Sequence, residues 1–321
     1  MTTRHLVAGG AGFIGSHLCE RLLDRGDHVT VVDNFVTGQR SNIEHLLDHE
    51  NFSLVNHDIT ERLPHYLTIW KYDTILDLAS PASPSDFATM PLQILNVGST
   101  GTKNLLDLAT RYGAKFFLAS TSEVYGDPLV HPQSEDYLGN VSSIGPRSCY
   151  DEAKRFSEAL TMAYHRVHGL DVRIVRIFNT YGERMRYDDG RVVNTFIRQA
   201  LQGKPLTVYG DGSQTRSFCY VEDEVQGLLS VLDGDVCTPI NVGNPGEFTV
   251  LELAKMVIQA TGSSSTIEKL PLPAERDGDP LQRCPDISLI QGLYGWSPTI
   301  PLSEGLSRMI TWCKDAGWSR L

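Results

Sequence analysis

No apolar run in the chain approaches the roughly 18–20 residues that span a bilayer, and the first strand-like stretch begins within a few residues of Met1, leaving no space for a signal peptide. The expectation is a cytoplasmic protein. Positive charge is also scarce. Lys plus Arg number 28 against 39 Asp plus Glu, a formal net charge of −11, which excludes a broad nucleic-acid or anionic-membrane surface. An anionic ligand would need a local basic pocket. Six cysteines (Cys19, Cys149, Cys219, Cys237, Cys284, Cys313) stand singly, with no C-x-x-C pair and no histidine at ligand spacing. They read as reduced thiols, and no metal site is expected. Internal repeats and low-complexity tracts are absent. What remains is a chain of 321 residues, 41% hydrophobic, able to bury a large core and long enough for one large α/β domain with a smaller companion.

The apolar run His5–Ala8 feeds directly into glycines, and Ser16 to Leu23 continues with Leu18, Leu22 and Leu23 at helical spacing. After Gly26, the β-branched stretch His28–Val32 ends on Asp33, completing a βαβ unit. The alternation repeats. Phe52–Val55 precedes Asp58, Thr74–Leu78 precedes a Pro/Ser loop, Lys115–Ala119 precedes Ser120-Thr121-Ser122-Glu123, and Val172–Phe178 ends on Asn179-Thr180. Helical patterns cover Gly101–Tyr112 and Tyr150–His168. This order predicts a doubly wound parallel sheet of the Rossmann type, with ligands beyond the carboxyl ends of its strands. From about Tyr181 the alternation fades into Gly- and Pro-bearing loops, including Gly210-Asp211-Gly212 and Pro271 to Pro285. The division expected is residues 1–178 as a dinucleotide-binding domain completed by about 217–241, with 179–216 and 242–321 mainly forming a smaller α/β substrate-binding domain.

Gly9-x-x-Gly12-x-x-Gly15 sits between the first strand and the first helix, where glycines permit a tight turn and close approach to phosphate at a helix N-terminus. Asp33 ends the second strand 18 residues beyond Gly15. A carboxylate there accepts bonds from ribose hydroxyls and repels a 2′-phosphate, so NAD is favoured over NADP, a preference that the nearby Arg40 weakens slightly. Asp58, after the third strand, is placed to bond the adenine amine. The candidate cofactor-binding set is Gly9, Gly12, Phe13, Ile14, Gly15, Asp33, Asn34, Asp58, Ile59, Leu78 and Ala79, joined by Tyr150 and Lys154.

Tyr150 and Lys154 stand four apart on a predicted helix, hence on one face. A neighbouring ammonium favours phenolate and would bring the tyrosine nearer to working as a base at neutral pH. Thr121, Ser122 and Glu123, at the end of a predicted strand, complete the candidate proton-transfer group.

Several stretches carry a resemblance that covers nearly the whole chain: Leu78-Ala79-Ser80-Pro81-Ala82-Ser83-Pro84, Ser120 to Pro128, Gly145 to Glu152, Ala200 to Gly210, and Asp279-Pro280 through Arg283 to Pro285-Asp286. With the glycine motif and Tyr150/Lys154, they resemble the extended short-chain dehydrogenase/reductases and, within these, the UDP-glucuronate decarboxylases, or UDP-xylose synthases. The resemblance implies an internal redox cycle. NAD removes hydride from C4 of the sugar while Tyr150 takes the hydroxyl proton; the C6 carboxylate, now β to a ketone, leaves as CO2; C5 is protonated and the hydride returns. The cofactor is expected to stay bound.

Ser122 and Glu123 separate this chain from relatives. Sugar 4,6-dehydratases carry Asp-Glu at these positions and many 4-epimerases only small hydroxyl residues at the second, so Ser-Glu fits decarboxylation. A carboxylate at Glu123 is expected to disfavour the substrate carboxylate by like-charge repulsion and to relay the C5 proton, through water or directly. For the UDP group it points to Asn179, Arg191, Val193, Lys204, Tyr209, Gln214, Arg216 and Arg283, the last also placed near the reacting sugar. Two departures stand out: Phe87 where relatives commonly have tyrosine, and Gly98 where many have asparagine. A UDP-sugar 4-epimerase and a non-catalytic NAD or nucleotide-sugar sensor remain alternatives. Pairing into a homodimer is expected by analogy.

Overall fold

The computed structural model describes residues 2–272 and 280–319; Asp279, in one of the resembling stretches, lies outside the described residues. Six strands, β1 (Arg4–Ala8), β2 (His28–Asp33), β3 (Phe52–Asn56), β4 (Thr74–Asp77), β5 (Lys115–Thr121) and β6 (Val172–Ile177), form one sheet in the order 6-5-4-1-2-3. A seventh strand, Pro239–Val242, pairs parallel with β6 at the edge, so the chain returns to the sheet after a long excursion. Every pairing is parallel; Val7, for example, lies between Val31 and Leu76. The chain reverses direction across the sheet between β1 and β4, which opens a crevice at their carboxyl ends.

Successive residues of a strand face opposite sides of the sheet, and both faces here are apolar. Leu6 and Ala8 join Ile75, Phe116 and Leu118 in one core, covered by Leu105, Leu106 and Ala109 of the helix Thr102–Tyr112. Val7 joins Val29, Val31 and Phe117 in the other, covered by Leu18 and Leu22 of the helix Phe13–Asp24 and by Leu228 of the helix Val221–Asp233. This second core continues past the sheet into the helices Val192–Leu201, Val250–Thr261 and Leu302–Asp315 through Phe196, Leu253 and Met309. Three two-stranded pairings lie in that region: Leu206–Tyr209 with Ile267–Leu270, Thr215–Ser217 with Glu247–Thr249, and Cys219–Tyr220 with Thr180–Tyr181. The α/β fold read from the alternation of elements is the one observed.

Candidate active site

The chain turns from β1 into the helix Phe13–Asp24 through Gly9, held at φ +77°, a conformation that side chains rarely adopt. A Cβ at Gly9 would meet the Leu78 carbonyl at 2.7 Å, and one at Gly15 would meet the Gly9 carbonyl at 2.3 Å. These two glycines close the turn. Gly12 differs, because a Cβ there meets only the Gly9 carbonyl, at 3.1 Å, and the space in front of it is open. Gly12 is also the N-cap of the helix, with no side-chain cap and no acid in the first turn, so the free amide ends and the dipole are available to an anion. The Asp33 carboxylate accepts from Ala11 N and Phe35 N, both at 2.9 Å, which stiffens the turn, and burial pushes its pKa up.

Gly9, Gly12, Asp33, Asn34, Asp58, Ile59, Leu78 and Ala79 line one recess. Asn34 Nδ2 donates to Asp58 Oδ2 at 3.0 Å, and the hydroxyl of Thr60 donates to Asp58 Oδ1 at 2.7 Å. Through Gly9, Gly12 and Leu78 the recess opens into a cavity lined by Phe13, Ile14, Gly15, Thr121, Ser122, Glu123, Tyr150, Lys154, Asn179 and Arg191. Glu123, Arg147, Asn179 and Arg191 are shared in turn with a larger cavity of about 940 Å³ that also presents Val193, Tyr209, Gln214 and Arg216. The three spaces form one path, from a pair of acids at one end to arginines at the other. Lys204 stands apart, exposed in the turn before Leu206–Tyr209 and absent from the walls of both cavities.

Tyr150 and Lys154 lie on the helix Ser148–His168 and are 6% exposed each. Burial pushes the Tyr150 phenol up to about 12, opposed by its hydrogen bond with Thr121 and then by the charge of Arg191. Lys154 Nζ donates to the Ala119 carbonyl at 2.8 Å. Burial lowers its pKa, and Asp77, 2% exposed at the end of β4, is the chief charge opposing that shift. The sequence predicts a phenol brought down by its lysine, whereas burial of the ring is the larger influence in the folded chain. Phe87 stacks on Tyr150 at 5.0 Å between ring centres, and the Arg147 guanidinium lies 5.4 Å from the centre of the Phe87 ring. The residue singled out in the sequence as a departure is thus an apolar ring lying on that of Tyr150. Gly98 packs against the same helix, where a Cβ would come within 2.9 Å of the Ala153 Cβ.

Beyond Tyr150 the site is built from charges. Glu123 lies between two arginines: Arg147 Nη2 donates to its Oε2, and Arg283 Nη2 stands 3.4 Å from the same oxygen. Arg283, 1% exposed, also donates to the carbonyls of Ser122 and Gly126. Burial alone would raise the Glu123 pKa, but Arg283 and then Arg147 overcome it and hold the carboxyl down at about 2. Asp151 goes the other way. It is 5% exposed, its Oδ2 lies 3.9 Å from Arg147 Nε, its Oδ1 has no hydrogen-bond partner, and burial followed by the Glu123 charge pushes it up to about 7. The carboxyl expected to relay a proton, Glu123, thus has a second carboxyl beside it, and the two are pushed in opposite directions, Glu123 down by its arginines and Asp151 up by burial.

Arg147 and Asp151 went unselected in the sequence, as did Asp77, although Arg147 and Asp151 flank Tyr150 inside a stretch that carries the family resemblance. Arg191, the N-cap of the helix Val192–Leu201, donates to Asp189 at 3.1 Å and to the Ala82 carbonyl at 2.9 Å, so its guanidinium is braced at the junction of the two cavities.

The family model described as GDP-mannose 4,6 dehydratase matches residues 6–309. The chain is 53% identical over 307 residues to UDP-glucuronic acid decarboxylase 1 of Danio rerio, covering 96% of this chain and 72% of that protein. Against UDP-glucuronic acid decarboxylase 1 of Arabidopsis thaliana the identity is 52% over 308 residues, 96% of this chain and 69% of that one. Among solved structures, UDP-glucuronic acid 4-epimerase from Bacillus cereus, in complex with UDP-glucuronic acid and NAD, superposes with a TM-score of 0.87 at 31% identity, covering 98% of this chain and 99% of that chain. The glycine turn, the Tyr150/Lys154 helix and the whole-length matches together place the chain in the GDP-mannose 4,6 dehydratase family of extended short-chain dehydrogenase/reductases and, within it, among the UDP-glucuronic acid decarboxylases.

Proposed function

We propose that the chain converts UDP-glucuronate to UDP-xylose and CO2, holding NAD through successive turnovers. The observation that carries this reading is Glu123, fixed as an anion by Arg147 and Arg283 in the same cavity as Tyr150 and Lys154. The open face of Gly12, the uncapped helix start and the carboxylate of Asp33 fit a dinucleotide whose pyrophosphate lies on the glycine turn and whose ribose meets Asp33. Bound there, NAD supplies a hydride acceptor and donor at the sugar C4.

The protein's own groups do the rest. Tyr150, hydrogen-bonded to Thr121, takes the C4 hydroxyl proton and later returns it, and Lys154 fixes positive charge on the same helix face. Once C4 is a ketone, the C–C bond to the carboxylate breaks, CO2 leaves and its electron pair enters an enolate toward C4. The anion of Glu123 disfavours a second carboxylate nearby, while Arg147, which lines the cavity, binds the substrate acid only until it departs; Arg283, sequestered on Ser122, Gly126 and Glu123 and lining neither cavity, acts on Glu123 alone. C5 must also receive a proton, and Glu123, which lines the cavity, is the carboxylate placed to relay it. Arg191, Tyr209, Gln214 and Arg216 line the cavity assigned to the UDP group, where guanidinium groups suit phosphate oxygens.

Mass-spectrometric analysis of UDP-glucuronate incubated with the protein, with CO2 trapped, tests the reading. A pentose nucleotide in step with CO2, formed without stoichiometric added NAD, is expected. UDP-galacturonate with its carboxylate intact would overturn it in favour of a 4-epimerase. We also propose that the chain works in the cytoplasm, which its six free cysteines support, and as a homodimer, which the exposed Leu92, Leu95 and Phe156 on the neighbouring helices Pro91–Asn96 and Ser148–His168 support. No helix among the described residues is long and apolar enough to cross a membrane.

A further inference from the structure

Three side chains that the sequence keeps far apart meet at the outer wall of the larger cavity. His131 Nε2 lies 2.8 Å from Glu247 Oε2, and the Cys284 sulfur completes a group whose donor atoms all fall within 4.8 Å of one another. His131 and Glu247 line the cavity with side chains 36% and 27% exposed, while Cys284 is 5% exposed behind them. The scaffold under these groups is tied down. Gln133, fully buried, donates its backbone N–H to the Cys284 carbonyl at 2.9 Å and accepts from Cys284 N through its side chain at 2.9 Å. Asp286 N donates to the Gln133 carbonyl, and Asn241 Nδ2 reaches the carbonyls of both Gln133 and Asp286. Glu247 is oriented by the Thr215 hydroxyl, which donates to its other oxygen at 2.8 Å.

We propose that His131, Glu247 and Cys284 form a binding site for a borderline transition-metal dication, zinc by its donor set, with an open coordination position facing the larger cavity. An imidazole, a thiolate and a carboxylate suit zinc and disfavour magnesium or calcium, which take oxygen ligands. Zinc bonds of about 2.0–2.3 Å need donors a little over 3 Å apart, so His131 and Glu247 separate slightly while the sulfur closes in. Binding would displace the thiol proton, which Cys284 Sγ donates to the Pro245 carbonyl at 3.4 Å. The ion would bridge three chain segments and anchor the backbone next to Arg283, whose guanidinium braces Ser122 and Glu123.

The test uses full-length protein free of any polyhistidine tag. Equilibrium dialysis against Zn2+ alone is expected to give a single tightly bound ion per chain, and Co2+ in its place a thiolate-to-cobalt absorption band in the near ultraviolet. Both should be lost in Cys284→Ser and His131→Gln. Peptide mapping needs no variant: Zn2+ should slow alkylation of Cys284 about tenfold or more, and Mg2+ should leave it unchanged. Equal zinc uptake by the wild type and folded variants, a cobalt spectrum without the sulfur band, or alkylation of Cys284 indifferent to zinc would each reduce the site to adventitious binding and overturn the proposal.

Discussion

The two ends of the ligand path are built from different materials. At the glycine end, recognition rests on main chain: a turn closed by Gly9 and Gly15, an exposed helix start at Gly12, and one carboxylate bonded to the amides of Ala11 and Phe35. At the end proposed for the sugar the structure rests on side chains: Glu123 and Arg147 on the cavity wall, with Asp151 and Arg283 buried against them, drawn from three segments and held against one another by charge. Main-chain recognition needs residues that are small and adjacent. Charge recognition needs residues that are large and come from several directions, because an anion taken out of water must be met by more than one partner. The first kind tolerates little change of shape, and the second little change of charge.

Tyr150, at the boundary of the two regions, gives the largest effect. Tyr150→Phe should lower kcat by about 10²–10⁴-fold, with UDP binding by calorimetry nearly unchanged; retention of turnover would remove the phenol from the reaction. Arg283→Met then probes the charged end. It leaves Glu123 buried with one partner fewer, and losing a member of such a cluster costs about 3–5 kcal/mol, read as a fall in the urea midpoint. Gly15→Ala probes the main-chain end, where a methyl 2.3 Å from the Gly9 carbonyl forces the turn to shift. Overpacking of this sort costs about 1–3 kcal/mol, and NAD affinity should fall while UDP affinity holds. If Arg283→Met weakened NAD and spared UDP, the separation of the two ends would be wrong.

The smallest effect concerns pH. Asp151 keeps its proton up to about pH 7 in the fold, whereas an unfolded aspartate releases it near pH 3.9. Between those values the native chain binds the extra proton, so stability present at low pH is lost as pH rises through 7. Asp151→Asn should flatten that fall by up to about 1 kcal/mol per pH unit, measured by urea unfolding at pH 5 and pH 8. Glu123, held at about 2, acts in the opposite sense and in a separate window: its contribution is present above the usual carboxylate range and disappears only as pH falls toward 2. A steeper fall with rising pH in the Asn variant would place the stored proton elsewhere.

Much of the fold was legible because it is written locally. The strand runs alternate with helical periods, each apolar position is repeated on two faces, and the glycine turn with Asp33 needs no distant partner to be recognised. The charged cluster was only half legible. Glu123 and Arg283 are named by resemblance, yet nothing in their spacing says that Arg147 stands between Glu123 and Asp151, or that burial pushes Asp151 up while the arginines hold Glu123 down. Phe87 is legible as a departure and becomes intelligible only as a ring lying on Tyr150.

By itself, then, the sequence determined a doubly wound parallel sheet, the dinucleotide turn, and a tyrosine and lysine on one helix face, all consequences of short-range periodicity and of residues at most a few dozen positions apart. Only the tertiary structure decided in which direction each carboxyl of the site is shifted and the meeting of His131 with Glu247 and Cys284. Ionisation depends on burial and on every charge within a few ångströms, and those neighbours are assembled by packing from segments that sequence distance keeps independent.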